Sequence, residues 1–566
     1  MLYPKDMEEK GFSYRSRIVD STLRRKLKGK GAVLIEGPKW CGKTTTAEQF
    51  ARSILSVDDP ATVDANRILS EIDPEKLLDG EQPRLLDEWQ VAPKLWDAVR
   101  HHVDHHKGQG QFILTGSSVP ADISETIHSG TGRFSWLVMR PMTLFESGDS
   151  TGDVSLASLF ESGQVSGCSD LNIDRLAFLV CRGGWPESID MDEDVALDQA
   201  FDYIDAVIRT DMSRVDGVGR DPQKVRMLLR SYARNQGSQI SQASLSAEIS
   251  SDDRAGVSEE TVSEYLKALR KLHVVEDMGA WNPNLRSKTA VRTSDTRYFV
   301  DPSLAAASLR IGPKDLINDL NTFGFFFEAL VIRDLRVYAE SLDGDVYHYR
   351  DNMNNECDAV IHLRDGRYAL LEVKLGGSTL VNEGAEALKK VLRRIDTDRM
   401  GTPAFMAVVT GTDRYAYRRD DGVLVVPIGA LKNRSRLSMR NDSRRPAPFG
   451  RDRSGHHCPI ASLTCLTKSS LNPSNSPRPL MTHSTENPFE VRKDLRESSS
   501  SPAMSLLAWS PATIMNGTVT TSRHFAWFIR RTVSSKDGNP STVVTNTLPI
   551  PALQSFICSS QYVALA

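Results

Sequence analysis

The sequence predicts an α/β protein built on two separate sheets, the first of them mostly parallel. Three observations carry that expectation. Residues 31–36 (GAVLIE) form a short apolar run bounded by glycines and followed by a helical pattern, which reads as a buried strand feeding a helix. Strand-like ends recur at 84–86 and 111–115, and strand, helix, strand repetition implies a parallel sheet covered by helices. A second set of strand-like runs lies far downstream, at 345–349, 357–363, 368–374, 405–410 and 423–428.

Bulk properties set the frame. At 566 residues the chain exceeds one ordinary core, so two to four domains are expected. The formal net charge of −3 argues neither for nor against nucleic acid; only a local basic patch could. The seven cysteines include no C-x-x-C pair, as in a reduced cytoplasmic protein. Residues 1–12 are polar and charged, unlike a secretory signal, and no apolar run approaches the ~20 residues of a membrane helix. These features point to a cytoplasmic protein with no membrane role.

In chain order, residues 16–30 are basic with apolar Ile18, Leu23 and Leu27, a short helix entering the first strand. Residues 44–55 keep helical spacing through Phe50, Ile54 and Leu55. From 171 to 216 the pattern is helical, broken at Gly183, Gly184 and Pro186. Three helical stretches follow in 223–277, the third carrying Val262, Tyr265, Leu266, Leu269 and Leu272 on one face. Strand-like runs at 274–281 and 296–300 complete a winged-helix-like pattern, and an apolar helix spans 323–337. After about Lys432 the chain becomes rich in Ser, Thr, Pro, Asn and Arg, and the expectation is a disordered tail that is a non-native extension, such as a frame-shifted end. His456, His457, Cys458 and Cys465 lie there, with a spacing that fits no familiar zinc site.

Gly37-Pro38-Lys39-Trp40-Cys41-Gly42-Lys43-Thr44 matches G-x-x-x-x-G-K-[ST] in full, after a strand and before a helix. The chemistry asks for these residues. Glycines let backbone N–H groups turn inward around phosphates, and the helix start faces the anion. Lys43 can reach the β- and γ-phosphates of ATP, and Thr44 can offer its hydroxyl to Mg²⁺. Cys41 is read as a passive loop position. Leu85-Leu86-Asp87-Glu88 ends a short apolar run with two acids. Asp87 would hold Mg²⁺, directly or through water, and Glu88 would orient the attacking water. Thr115, closing the run 112–115, would contact the γ-phosphate or that water, or simply end a strand. Arg133, after a flexible Gly130-Thr131-Gly132 turn, is either an arginine finger or a surface residue.

With these residues the chain resembles the prokaryotic AAA-type ATPases that carry a C-terminal restriction-endonuclease-like domain of unknown function. The likeness runs over about 16–431. It rests on 37–44, Leu86-Asp87-Glu88-Trp89-Gln90, Leu114-Thr115-Gly116-Ser117-Ser118, Gly132-Arg133 and Gly183-Gly184-Trp185-Pro186. It implies catalytic roles for Lys43, Glu88 and Thr115, with less weight on Arg133, and Mg²⁺ on Thr44 and Asp87. The expected division is a P-loop ATPase core (16–145), a helical lid or connector (146–222), a winged-helix-like domain (223–310), a PD-(D/E)-x-K-like α/β domain (320–431) and the tail (432–566).

In the winged-helix-like part, Lys267, Arg270 and Lys271 on the third helix could enter a DNA groove, but Glu259, Glu260 and Glu264 share that helix. Downstream, Glu328 lies on a helix, Asp358 on or beside a strand, and Glu372 and Lys374 two apart on a strand, hence on one face. Two carboxylates with a lysine resemble a nuclease core that could hold Mg²⁺; Glu356 is a supplementary ligand or a surface charge. Fold need not bring cleavage, so three functions stay open: an ATPase switch, an ATP-regulated nuclease, and a non-catalytic regulator that binds DNA or protein. By resemblance, a homo-oligomer is a further expectation.

Overall fold

Along β1 (Ala32–Glu36) Ala32 and Leu34 pack into one apolar cluster, while Val33 and Ile35 pack into another. That two-residue alternation places β1 inside a sheet covered on both faces. The computed structural model describes residues 14–116, 130–252, 256–283 and 294–434. Ser117, Ser118, the tail beyond 434 and its His456, His457, Cys458 and Cys465 lie outside the described residues.

The first sheet is wholly parallel, in the order β2 (Ser53–Ser56), β3 (Arg84–Asp87), β4 (Phe112–Thr115), β1, β5 (Phe134–Val138). The helix α1 (Val19–Gly29) covers one face through Leu23 and Leu27; α2 (Lys43–Glu48) follows β1, and α3 (Leu95–His105) covers the other face. The helix expected over 44–55 stops at Glu48, and Ile54 and Leu55 belong to the edge strand β2. Pairing with β3, through Ile54 beside Leu85, outweighs their helical spacing.

Beyond it, α4 (Ile173–Arg182) and α5 (Glu193–Ala206) flank the break at Gly183. Three helices follow as expected, α6 (Pro222–Arg234), α7 (Gln242–Asp252) and α8 (Glu259–Lys271). The two expected wing strands reduce to isolated antiparallel bridges, Val275 with Phe299 and Met278 with Thr296. A further bridge joins Ala280 to His348 of the second sheet. The two segments still pair antiparallel along their length, Val300 N–H with the Val274 carbonyl (3.0 Å), Glu276 N–H with that of Tyr298 (2.9 Å) and Met278 N–H with that of Thr296 (2.8 Å), while Ala280 also reaches the second sheet.

After α9 (Pro302–Leu309), the 21-residue helix α10 (Leu320–Glu340) leads into a mixed second sheet. Its order is β6 (Gly167–Cys168), β11 (Tyr415–Arg418), β12 (Leu424–Pro427), β10 (Phe405–Thr410), β9 (Tyr368–Lys374), β8 (Glu356–Leu363), β7 (Gly344–Arg350). The edge strand β6 comes from the segment read as a helical connector, and Val154–Ser155 likewise pairs with Leu431–Lys432. Such two-residue strands leave no periodicity to read. One face of this sheet packs on α10 and the other on α11 (Ser378–Leu392), so that the helix carrying Glu328 lies against the strands carrying Asp358 and Glu372.

Candidate functional site: the phosphate loop and its surroundings

Between β1 and α2 the chain bends through Gly37 (φ +148°), Trp40 (φ +61°) and Gly42 (φ +93°). A Cβ on Gly37 would lie 2.0 Å from the Met139 carbonyl oxygen, so only glycine fits there. Lys43 is buried, and its Nζ donates to the carbonyls of Gly37 (3.0 Å) and Pro38 (2.8 Å). The ammonium is thus held inside the loop by the loop's own carbonyls. Cys41 is fully buried against Met139, in keeping with a passive position. The Lys39 side chain, at the rim of the cavity beside the loop, pairs with Asp211 at 2.6 Å.

Asp87 joins the first turn of α2 to the end of β4. Its Oδ1 accepts from Thr44 Oγ1 at 2.9 Å and from Thr115 Oγ1 at 2.6 Å. Burial raises the Asp87 pKa, against the lowering effect of those two hydrogen bonds. A buried carboxylate beside a hydroxyl is a hard-oxygen pair suited to Mg²⁺, which keeps most of its shell from water and phosphate. Among the described residues no group of three or more His, Cys, Asp or Glu side chains stands in metal-holding geometry. Glu88 follows at φ +53°, accepts from Gln90 and lines the same cavity of about 820 Å³ as Lys43, Thr44 and Trp40.

Arg133 lies elsewhere. It precedes β5, whose Phe134 is in register with Ala32 at the start of β1, whereas the loop follows the end of β1. The length of a five-residue strand, roughly 15 Å, separates them. Its guanidinium pairs with Asp104 at 2.6 Å. Arg133 therefore does not serve the loop of its own chain.

The sequence reading passed over Arg17. Its side chain is buried and donates to the carbonyls of Cys41 and Arg140 (both 2.8 Å) and to Glu146 at 3.1 Å. It ties the loop to the segment after β5, and no local pattern announces a contact over 129 residues to Glu146. The Gly183-Gly184-Trp185-Pro186 break closes the cavity. Gly184 accepts from Met142 N (2.6 Å) and donates to Asp301 (3.0 Å); Trp185 Nε1 donates to Ser303 (3.0 Å) and its ring stacks on Tyr203. Pro186 lines the cavity 3.5 Å from where a Gly42 Cβ would stand.

Residues 29–147 match the family model described as AAA domain. The chain carries a P-loop ATPase domain of the AAA type. Beyond this ATPase domain, residues 173–315 and 323–431 match two domains of unknown function, DUF8612 and DUF4143. Uncharacterized proteins of Mycobacterium tuberculosis and Mycobacterium bovis are each 26% identical over 357 residues, covering 62% of this chain and 72% of theirs. A Walker-type ATPase of Pyrococcus abyssi aligns at 14% identity over 53% of this chain and 96% of that one, with a TM-score of 0.33. A STAND protein of Pyrococcus horikoshii aligns at 10% identity over 58% and 70%, with a TM-score of 0.16. No described helix is long and apolar enough to cross a membrane.

Outside the ATPase domain, the second constellation also converges. Lys374 Nζ lies 2.8 Å from Glu372 and 3.5 Å from Asp358, and Asp358 accepts from Val373 N at 2.8 Å. Glu328 accepts from the buried Tyr298 hydroxyl. Burial, reinforced by the Asp358 charge, pushes the Glu328 pKa up to about 8 and raises that of Glu372 as well. Burial works against the Lys374 charge, but Asp358 and Glu372 outweigh it and raise the lysine. Glu356 is exposed beside Arg350, a surface charge. On α8, Lys267 pairs with Glu264 and Arg270 with Asp277, which neutralises two of the three cations expected to face DNA.

Proposed function

We propose that the chain is a Mg²⁺-dependent ATPase whose nucleotide state is coupled to its C-terminal nuclease-like domain. The observation that carries the reading is the convergence of Thr44 and Thr115 on Asp87 Oδ1 beside the buried Lys43 ammonium. In this reading Thr44 and Asp87 would hold Mg²⁺, which would supply positive charge against the phosphates. Lys43 leaves the loop carbonyls for the β- and γ-phosphates, Glu88 orients water and Thr115 positions it or the γ-phosphate. Lys43→Ala tests it. ATP binding and turnover should fall by on the order of 100-fold or more, and wild-type turnover in that variant would refute the site.

A second reading, an ATP-regulated nuclease acting on DNA, is favoured by the grouping of Glu328, Asp358, Glu372 and Lys374. Glu372 Oε1 is buried with no hydrogen-bond partner among the described residues, as an oxygen free to accept a Mg²⁺ ion would be. Mg²⁺-dependent cleavage lost in both Asp358→Ala and Lys374→Ala would support it, and cleavage surviving both would point to contamination. Nucleotide-dependent binding of DNA, or of a protein partner, without cleavage would instead mark a non-catalytic regulator. A homo-oligomer and a cytoplasmic location belong to the same proposal.

A further inference from the structure

The end of α8 closes in an arrangement that this sequence fills unusually. Val274 N–H donates to the Leu269 carbonyl (2.9 Å) and His273 N–H to that of Arg270 (3.0 Å). These paired bonds belong to a helix end whose closing residue turns left-handed, a place most often taken by glycine. Here it is His273, at φ +54°. Six described non-glycine residues have positive φ; Trp40 lies in the phosphate loop, Glu88 lines the cavity beside Lys43 and Thr44, and His273 lines a second cavity that includes Pro38 of the loop. Backbone strain of this kind gathers at functional sites. The helix end would close with less strain on glycine, so the imidazole needs another account.

Its surroundings supply one. His273 lines a cavity of about 380 Å³ together with Pro38 of the loop, Arg140 and Glu276. Burial lowers its pKa to about 4; Glu276 opposes this, and the nearby charges of Lys43 and Arg140 add to it. The neighbouring ions are matched with one another: Arg140 with Glu276 and Glu340, and Arg270 with Asp277. The His273 ring has no hydrogen-bond partner among the described residues. Lys43 Nζ donates to the carbonyl of Pro38, the loop residue that also lines the His273 cavity. In a loop of this kind the lysine marks the β,γ end of the nucleotide.

We propose that His273 donates a ring N–H to the terminal phosphate of a nucleoside triphosphate in the loop, so that the end of α8 distinguishes triphosphate from diphosphate. This rests on the ATP-binding reading of the loop. The contact has an outlet, because Glu276, three residues on, holds both Arg140 and Arg336 of α10, the helix that carries Glu328.

The test is calorimetry on the full chain with Mg²⁺, using a non-hydrolysable ATP analogue and, separately, ADP. Wild type is compared with His273→Gly, which keeps the backbone turn without the ring, and His273→Asn, which tolerates the turn and offers a shorter donor. The analogue should bind about tenfold more weakly to His273→Gly, with partial recovery in His273→Asn and ADP affinity unchanged. Equal loss for both nucleotides, or loss for neither, overturns the proposal while leaving the loop reading intact. No binding of either nucleotide to wild type sinks both.

Discussion

Thr44 and Asp87 meet across a strand: the hydroxyl on the first turn of α2 donates to a carboxylate at the end of β3 at 2.9 Å, with β4 between β1 and β3 in the sheet. The strand between them adds Thr115 to the same oxygen at 2.6 Å. Three segments separated in sequence thereby present one oxygen-rich corner to the lysine of the loop.

Replacing Asp87 by Asn keeps an oxygen that accepts both hydroxyls, so the fold should survive with little change in Tm. The charge that attracts Mg²⁺ is gone. Nucleotide affinity, measured with and without Mg²⁺, should depend on the metal much less than in wild type. An undiminished Mg²⁺ response would remove Asp87 from the metal site.

Glu88→Gln should bind ATP as wild type does and hydrolyse it roughly 100-fold or more slowly, since an amide no longer polarises water. Single-turnover kinetics would separate chemistry from product release. Unchanged turnover would assign the water to another group.

Gly184→Ala would place a methyl group 2.0 Å from the Met142 carbonyl oxygen. Relief requires breaking the bonds of Gly184 to Met142 and Asp301, so a loss of about 3 kcal/mol or more is expected, read as a fall in Tm. Nucleotide affinity should fall with it, because Pro186 is then displaced from the cavity.

The pH response of the second site follows from Glu328, which faces Asp358, Lys374, Glu356 and the Tyr298 hydroxyl. Its pKa is raised from 4.5 to about 8, so the folded state binds the proton more tightly than the unfolded chain. That contribution to stability is complete below the unfolded value and is lost as pH rises through about 8. Glu328→Gln removes the titrating group. Wild-type Tm should therefore fall relative to the variant between pH 5 and roughly 8.5; parallel Tm profiles would show that Glu328 ionises normally.

The lysine of the second site gives a contrasting case. Lys374→Met leaves Asp358 and Glu372 without their cation in a buried place, and thermal denaturation should show a loss of about 3–5 kcal/mol. Mg²⁺ should restore part of it if the two carboxylates can hold the ion, and the absence of any metal effect would argue for a purely structural cluster.

The sequence by itself determined the phosphate loop, because glycines, lysine and threonine at fixed spacing encode a local backbone bend and its ligands. It also determined the long strands and helices whose apolar period spans several residues, down to the pairing of Glu372 and Lys374 on one face. Only the tertiary structure decided what depends on contacts far apart in the chain. It set Arg133 at the opposite end of the strands from the loop, brought Arg17 to the loop and His273 to a cavity beside Pro38, drew Gly167–Cys168 into the second sheet and spent Arg270 on Asp277. Local spacing fixes which way a side chain leaves its own strand or helix; which distant element it then meets is set by packing, where burial and ion pairing choose among partners that no short window of sequence contains.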